Sequence, residues 1–172
     1  GIDRVRLGSI EPEMLTDEDL KRLSALPQFC PQFHLSLQSG SAAVLKRMNR
    51  KYTPDEYYEI VEKIRSYFPD VAFTTDVMVG FPEETEEEFA ASLEFIRKCA
   101  FSDMHIFPYS RRPGTPADKM PGQHTNETKE RRSREAIAVG NAMNLAYRRG
   151  LLGSVQQVLF EEAEGEYQTG HA

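Results

Sequence analysis

The sequence is poor in cysteine. Cys30 and Cys99 are the only two in 172 residues, and they share no metal-ligand spacing. Two buried free thiols in a reducing cytosol are the expectation. Long apolar runs are missing too. Nothing approaches the ~20 residues that span a bilayer, and Arg4, Arg6 and Glu11 precede any stretch that could serve as a leader. The expectation is therefore a cytoplasmic chain with no membrane partner. A surplus of positive charge is also lacking. The net charge of −6 argues against wrapping nucleic acid with the whole surface, although it leaves room for a local basic patch. No paired-carboxylate, Ser-His-Asp or P-loop device is recognisable.

What is present is an alternation of strand and helix patterns, with 40% hydrophobic residues, enough for one globular domain and a small appendage. "RVRLGSI", residues 4–10, alternates as a strand. "TDEDLKRLSAL" follows, with Thr16 and Asp19 placed as a capping box and Leu20, Leu23 and Leu26 on one helix face. "FHLSLQSGS", residues 33–41, begins as a strand and ends in hydrogen-bonding groups, and a helix starts near Ser41. Thr53, Pro54 and Glu56 open another helix with Tyr57, Ile60, Val61, Ile64 and Phe68 inward. "VAFTTDVMVGF", residues 71–81, suits a strand covered on both faces. Thr85 and Glu88 cap the next helix, "DMHIFPYS" is a fourth strand, and "RRPGTPADKMPGQHTN" is a long loop. A helix follows from about Glu127 to Arg149. The tail, "SVQQVLFEEAEGEYQTGHA", has strand runs separated by glycine and acids. Four strands alternating with helices predict an α/β fold of parallel βα units with right-handed crossovers.

Ligands of such folds sit at the carboxyl ends of the strands. Four groups fall there: Gly8, Ser9, Glu11 and Pro12; Gln38, Ser39, Gly40 and Ser41; Gly80, Phe81, Pro82 and Glu83; and Pro108, Tyr109, Ser110, Arg111 and Arg112. Small residues permit close backbone approach, and Gln, Ser and Tyr supply donors and acceptors. Four such ends on one rim point to a shared ligand. Blander roles stand beside this. Gly40 and Ser41 could only cap a helix, Asp76 could bond a neighbouring amide, and Glu83 to Glu88 reads as a solvated helix start. His34 and His105 read as satisfied core imidazoles. Arg111 and Arg112 match phosphates or carboxylates. Lys46, Arg47, Arg50 and Lys51 form a second basic cluster, and Lys129, Arg131, Arg132 and Arg134 a third. With Tyr52 and Tyr109 these support a phosphate or nucleic-acid site, a solvated basic face being the alternative.

"HLSLQSGSAAVLKRMNRKYTPDEY", "TTDVMVGFPEETEEEF" and "HIFPYSRRPGTPADKM" resemble the radical S-adenosylmethionine (SAM) methylthiotransferases. "RMNRKYT" with "FPYSRRPGTPA" is most similar to the branch acting on threonylcarbamoyladenosine beside the tRNA anticodon. The likeness runs from about Arg4 to Arg149. It implies strands 3–6 of an open (β/α)6 TIM-like barrel over residues 1–150. Residues 151–172 resemble the start of the small TRAM-like RNA-binding β domain that ends these enzymes. It also implies that SAM lies across the strand ends, near Ser9, Gln38 and Ser39, with Arg50 toward its carboxylate, Val79 and Gly80 by its adenine, and Phe107 and Tyr109 on the rim. Arg111 and Arg112 become candidates for the tRNA.

Two departures stand out. The family's "GFPGET" here reads "GFPEET", so Glu83 predicts a wider loop. No CxxxCxxC exists anywhere, although in the family those cysteines hold the 4Fe-4S cluster that cleaves SAM, and a further domain holds a second one. The expectation is thus a piece of a longer enzyme, inactive alone and binding neither of the parent's two 4Fe-4S clusters, that contributes binding and orientation. A methylthiotransferase of a ribosomal protein, a haem-pathway oxidase or other radical SAM enzyme, and a non-catalytic RNA-binding module are the alternatives. An open sheet edge predicts self-association, which a clean monomer in light scattering at high concentration contradicts.

Overall fold

A computed structural model describes residues 1–171. Four parallel strands form one sheet in the order β1-β2-β3-β4: β1 (Ser9–Ile10), β2 (Gln32–Leu35), β3 (Ala72–Val79) and β4 (Asp103–Pro108). Between them run α1 (Asp17–Ser24), the short α2 (Ala42–Arg47), α3 (Pro54–Tyr67) and α4 (Glu86–Cys99). The long α5 (Asn126–Gly150) follows β4. A separate antiparallel pair, β5 (Leu159–Glu164) and β6 (Tyr167–His171), closes the described chain. Among the described residues no helix is long and apolar enough to cross a membrane.

The helix starts follow their local chemistry. Thr16, Thr53 and Thr85 each accept the amide of the third helical residue, and Asp19, Glu56 and Glu88 answer on the cap's own amide. Each box satisfies two of the amides that a helix start otherwise leaves bare, for about 1 kcal/mol. The core lies between the helices and one face of the sheet, around Phe33, Leu35, Tyr57, Ile64, Phe73, Ile96 and Phe101. Cys99 is within it, and burial pushes its thiol up to about 12, which makes it inert. Cys30 is buried and reduced as well.

Several expectations change. Residues 4–10 do not form one strand. Val5 makes an isolated bridge to Phe29, and β1 is only two residues long. Leu26 lies past the end of α1 and is half exposed, so it is not part of the apolar face. β3 is covered on one face only. Phe73, Thr75, Val77 and Val79 are buried under the helices, while Ala72, Thr74, Asp76 and Met78 are half-buried on the open side. His105 lies on that side and is exposed, so it is no core imidazole. His34 is half-buried there, its Nδ1 3.0 Å from Thr74 Oγ1 and its Nε2 3.5 Å from Asp76.

Candidate functional site

The end of β2 leaves the regular ladder, and the reason is local. After Leu35 the Thr75 hydroxyl donates to the Leu35 carbonyl and accepts the Leu37 amide. Tyr57 donates to the Leu35 carbonyl, and Tyr52 to those of Ser36 and Leu37. With those groups satisfied, the chain turns outward and rejoins the sheet at Gln38. Its amide donates to Asp76 O and its carbonyl accepts the Met78 amide, both at 2.8 Å. Gln38 pays with a left-handed backbone, φ 66°, a region that costs a non-glycine residue about 1–2 kcal/mol. Strain of this kind concentrates where a side chain must be aimed.

The residues after Gln38 build the turn. Ser39 is fully buried and its hydroxyl accepts the Ser41 amide, while Ser41 caps α2. Gly40 lies so close to α4 that a Cβ there would stand 2.7 Å from the Phe95 Cβ, and its amide donates to Ser92 Oγ at 2.8 Å. Of this polar run only Gln38 is left to meet a ligand.

Gln38 lines a cleft of about 370 Å³ with Met78, Phe107, Pro108, Tyr109, Ser110, Arg112, Thr115 and Ala117. The sheet itself brings these ends together, since Gln38 bridges Val77 and the Tyr109 amide donates to Val79 O at 2.8 Å. The size and lining suit a small ligand with an aromatic or apolar body and a few polar contacts. Tyr109 packs edge-on against Phe81, and its buried hydroxyl has no partner among the described residues.

The other expected site residues fall elsewhere. Ser9 is the first residue of β1, its hydroxyl 3.1 Å from Ser36 Oγ. Arg50 donates to Glu11 at 2.8 Å, on the β1 side of the rim. Val79 is turned into the core, and its neighbour Met78 faces the cleft instead. The parity of β3 carried that signal, because Thr74 and Asp76 mark the face on which Met78 stands. Arg111 is held by Asp118 through Nε at 2.9 Å and lines a neighbouring cleft, whereas Arg112 lines the first.

The loop after β3 is tied down by groups that read as solvent-exposed in the sequence. Glu84 and Arg132 are both buried, with a 2.7 Å ion pair between them. The same Glu84 carboxylate accepts the Gly80 amide at 2.7 Å, and Arg132 also reaches Glu86 at 2.7 Å. Burial holds the Glu84 carboxyl above its ordinary range, against the opposing pull of the Gly80 amide and Arg132. Gly80 has φ 70°, and a Cβ on it would stand 2.7 Å from Lys129 Cγ. The third basic cluster is therefore not a free basic face. Lys129 and Arg132 are buried, and Arg131 pairs with Glu86 and Glu135. Glu83, which departs from the family's glycine, stands in this anchored loop. That residue adopts φ 62° and donates its amide to Gly122 O at 3.0 Å, so a glutamate occupies a glycine-type conformation.

A parallel βα sheet with a polar, partly strained cleft at its carboxyl ends defines an α/β core with a candidate ligand cleft. Residues 3–96 match the family described as the radical SAM superfamily, and the chain belongs to that superfamily. The chain is 42% identical over 165 residues to a tRNA-2-methylthio-N(6)-dimethylallyladenosine synthase of Acidothermus cellulolyticus, covering 96% of this chain and 33% of that protein. It is 43% identical over 158 residues to the threonylcarbamoyladenosine tRNA methylthiotransferase of Thermotoga maritima, covering 92% of this chain and 36% of that protein. The chain thus spans about a third of the length of the curated relatives it matches. Among solved structures, coproporphyrinogen III oxidase from Escherichia coli aligns over 81% of this chain and 32% of that one, with TM-score 0.66 and 18% identity. A radical SAM methyltransferase from Kitasatospora setae aligns over 68% of this chain and 23% of that one, with TM-score 0.55 and 18% identity. Both likenesses concern the fold, a partial radical SAM barrel.

The superfamily implies SAM and a 4Fe-4S cluster. The cluster does not fit the residues described: no group of three or more His, Cys, Asp or Glu could hold a metal, and Cys30 and Cys99 are each buried. SAM does fit the chemistry of the lining, with Gln38 able to hydrogen-bond and Met78 and Phe107 supplying apolar surface.

Proposed function

We propose that this chain is the cofactor-orienting part of a tRNA methylthiotransferase that places a methylthio group on C2 of a modified adenosine next to the anticodon. The relatives' names support the substrate class, and they include both dimethylallyl- and threonylcarbamoyl-adenosine enzymes. The "RMNRKYT" and "FPYSRRPGTPA" segments favour the latter. Such an enzyme works on tRNA in the cytoplasm. When bound, SAM supplies the radical-forming and methyl-donating chemistry. The chain's own residues bind and orient it: Gln38 by hydrogen bonding, Met78 and Phe107 by apolar contact, and Arg50, beside Glu11 at the β1 end of the rim, by charge, while Gly80 lets the adjoining loop close on Lys129. Tyr109 lines the cleft beside Phe107, and Ser9, Ser39 and Val79 support the rim from behind. Arg111 and Arg112 face the RNA. With no cysteine triad, the polypeptide alone holds neither of the two 4Fe-4S clusters of the family's full-length enzymes and does not turn over. The β5–β6 pair is read as the opening of the RNA-binding β domain, following a barrel portion over residues 1–150.

The observation that carries this reading is the strained Gln38 backbone at the mouth of the cleft. Calorimetric titration of the chain with SAM tests it. Binding is expected, and Gln38→Ala and Arg50→Met each weaken it about tenfold, since one hydrogen bond to a charged group is worth about 1.5–3 kcal/mol. A folded chain that ignores SAM, or affinity unchanged in both variants, refutes the assignment.

A further inference from the structure

Behind the rim, on the side of α5, lies a second cleft of about 440 Å³, lined by Pro108, Tyr109, Ser110, Arg111, Asn126, Lys129 and Glu130. Lys129 is 8% exposed, and its ammonium has no carboxylate or carbonyl partner among the described residues. Its stem packs on Gly80, and its Nζ lies 5.2 Å from the centre of the Tyr109 ring. Tyr109 is 7% exposed, with its hydroxyl unpartnered. A lysine with a buried stem, whose ammonium lies over the Tyr109 ring and has no ion-pair partner among the described residues, stands at the start of a 25-residue helix. Thr125 caps only the Thr128 amide there. The first-turn amides and the helix dipole favour an anion at that point. Arg111 reaches the same cleft, with its Nε and one Nη held by Asp118. The one acid in the lining, Glu130, is exposed and turned toward Arg134 at 4.0 Å.

We infer that this notch, built from Lys129, Tyr109, Ser110, Arg111 and the first turn of α5, binds a phosphodiester of the substrate RNA beside the cofactor rim. This rests on the tRNA reading above. A net charge of −6 makes diffuse binding of a polyanion unfavourable over most of the surface, so phosphate contacts must be local. The notch adjoins the candidate cofactor cleft, with Pro108, Tyr109 and Ser110 lining both. Phosphate held there leaves the neighbouring nucleotide free to enter the cleft.

The test is fluorescence titration of the chain with a short single-stranded RNA, with adenosine monophosphate and inorganic phosphate as parallel arms, over a range of salt. Lys129→Met keeps the buried stem and removes the charge. It is expected to weaken RNA binding about tenfold and to flatten the slope of log K against log salt by about 0.7–1, while Lys129→Arg restores both. Asn126→Asp keeps the fold readable independently. An acid in the first turn suits the helix dipole, so the thermal midpoint holds or rises, yet RNA binding falls about fivefold. RNA affinity and salt slope unchanged in both variants overturn the inference while leaving the tRNA reading intact. Variants that weaken the mononucleotide or free phosphate but not RNA overturn it as well. No RNA binding by the unsubstituted chain overturns both.

Discussion

Replacing Arg132 with methionine tests the claim that a buried ion pair holds the rim. Arg132 is 1% exposed and Glu84 2%. The substitution keeps much of the apolar stem and leaves Glu84 charged, buried, and bonded only to the Gly80 amide. Two charge-assisted hydrogen bonds disappear, those to Glu84 and Glu86. The second counts for little, because Glu86 is more than half exposed. The dominant loss is the uncompensated carboxylate, so the expected cost is about 3–5 kcal/mol. Urea unfolding at neutral pH measures it. Glu84 then loses the cation that had opposed its upward shift. Its folded carboxyl therefore binds a proton more readily than the unfolded one, and stability of the variant falls as pH rises through that window. The deficit must shrink on acidification. Replacing both partners with leucine should recover most of the loss, leaving about 1 kcal/mol for the orphaned Gly80 amide. A cost below about 1 kcal/mol, or a deficit that grows as pH falls, refutes the reasoning.

The Glu88 carboxylate receives Arg47 and the Thr85 amide, and Arg47 is the main cause of its lowered pKa. Its contribution is full at neutral pH and is lost as pH falls through the lowered folded value, so Glu88→Gln should cost about 1–2 kcal/mol near neutrality and almost nothing in acid. Denaturant curves across pH check this, and a deficit independent of pH contradicts it. Ala100 ends α4 at φ 50° and Glu83 holds φ 62°, both in the left-handed region. Ala100→Gly and Glu83→Gly should each stabilise by about 0.5–1 kcal/mol, raising the thermal midpoint by about 1–4 °C. A lowered midpoint for both would show that the turns bear no strain.

Local rules settled much of this protein in advance. Thr16–Asp19, Thr53–Glu56 and Thr85–Glu88 are read directly as capping boxes, because each involves atoms three residues apart. The alternation of β-rich and helical stretches implies a parallel sheet, since two parallel strands need a long crossover. Glycine and polar residues at the strand ends mark the rim for the same reason, and the motif likeness adds the cofactor.

What the sequence could not show depends on atoms far apart in the chain. Arg132 and Glu84 are 48 residues apart, and each alone looks like an ordinary solvated charge. Only when α5 packs behind the β3 loop do they lose water, and a charge deprived of water must find its counterpart. Glu83 followed the same logic. Its neighbours' anchorage imposes the backbone, and the glutamate accepts the strain. Gln38 was legible as a polar residue at a strand end, but its left-handed twist accompanies hydroxyls of Tyr52, Tyr57 and Thr75 taking over the hydrogen bonds of β2. Sequence alone determined which segments are helices and which edge of the sheet gathers the glycine and polar residues. Tertiary packing decided which charges are buried and which of two adjacent side chains, Met78 or Val79, meets the cleft, because burial is a property of neighbours brought together from distant parts of the chain.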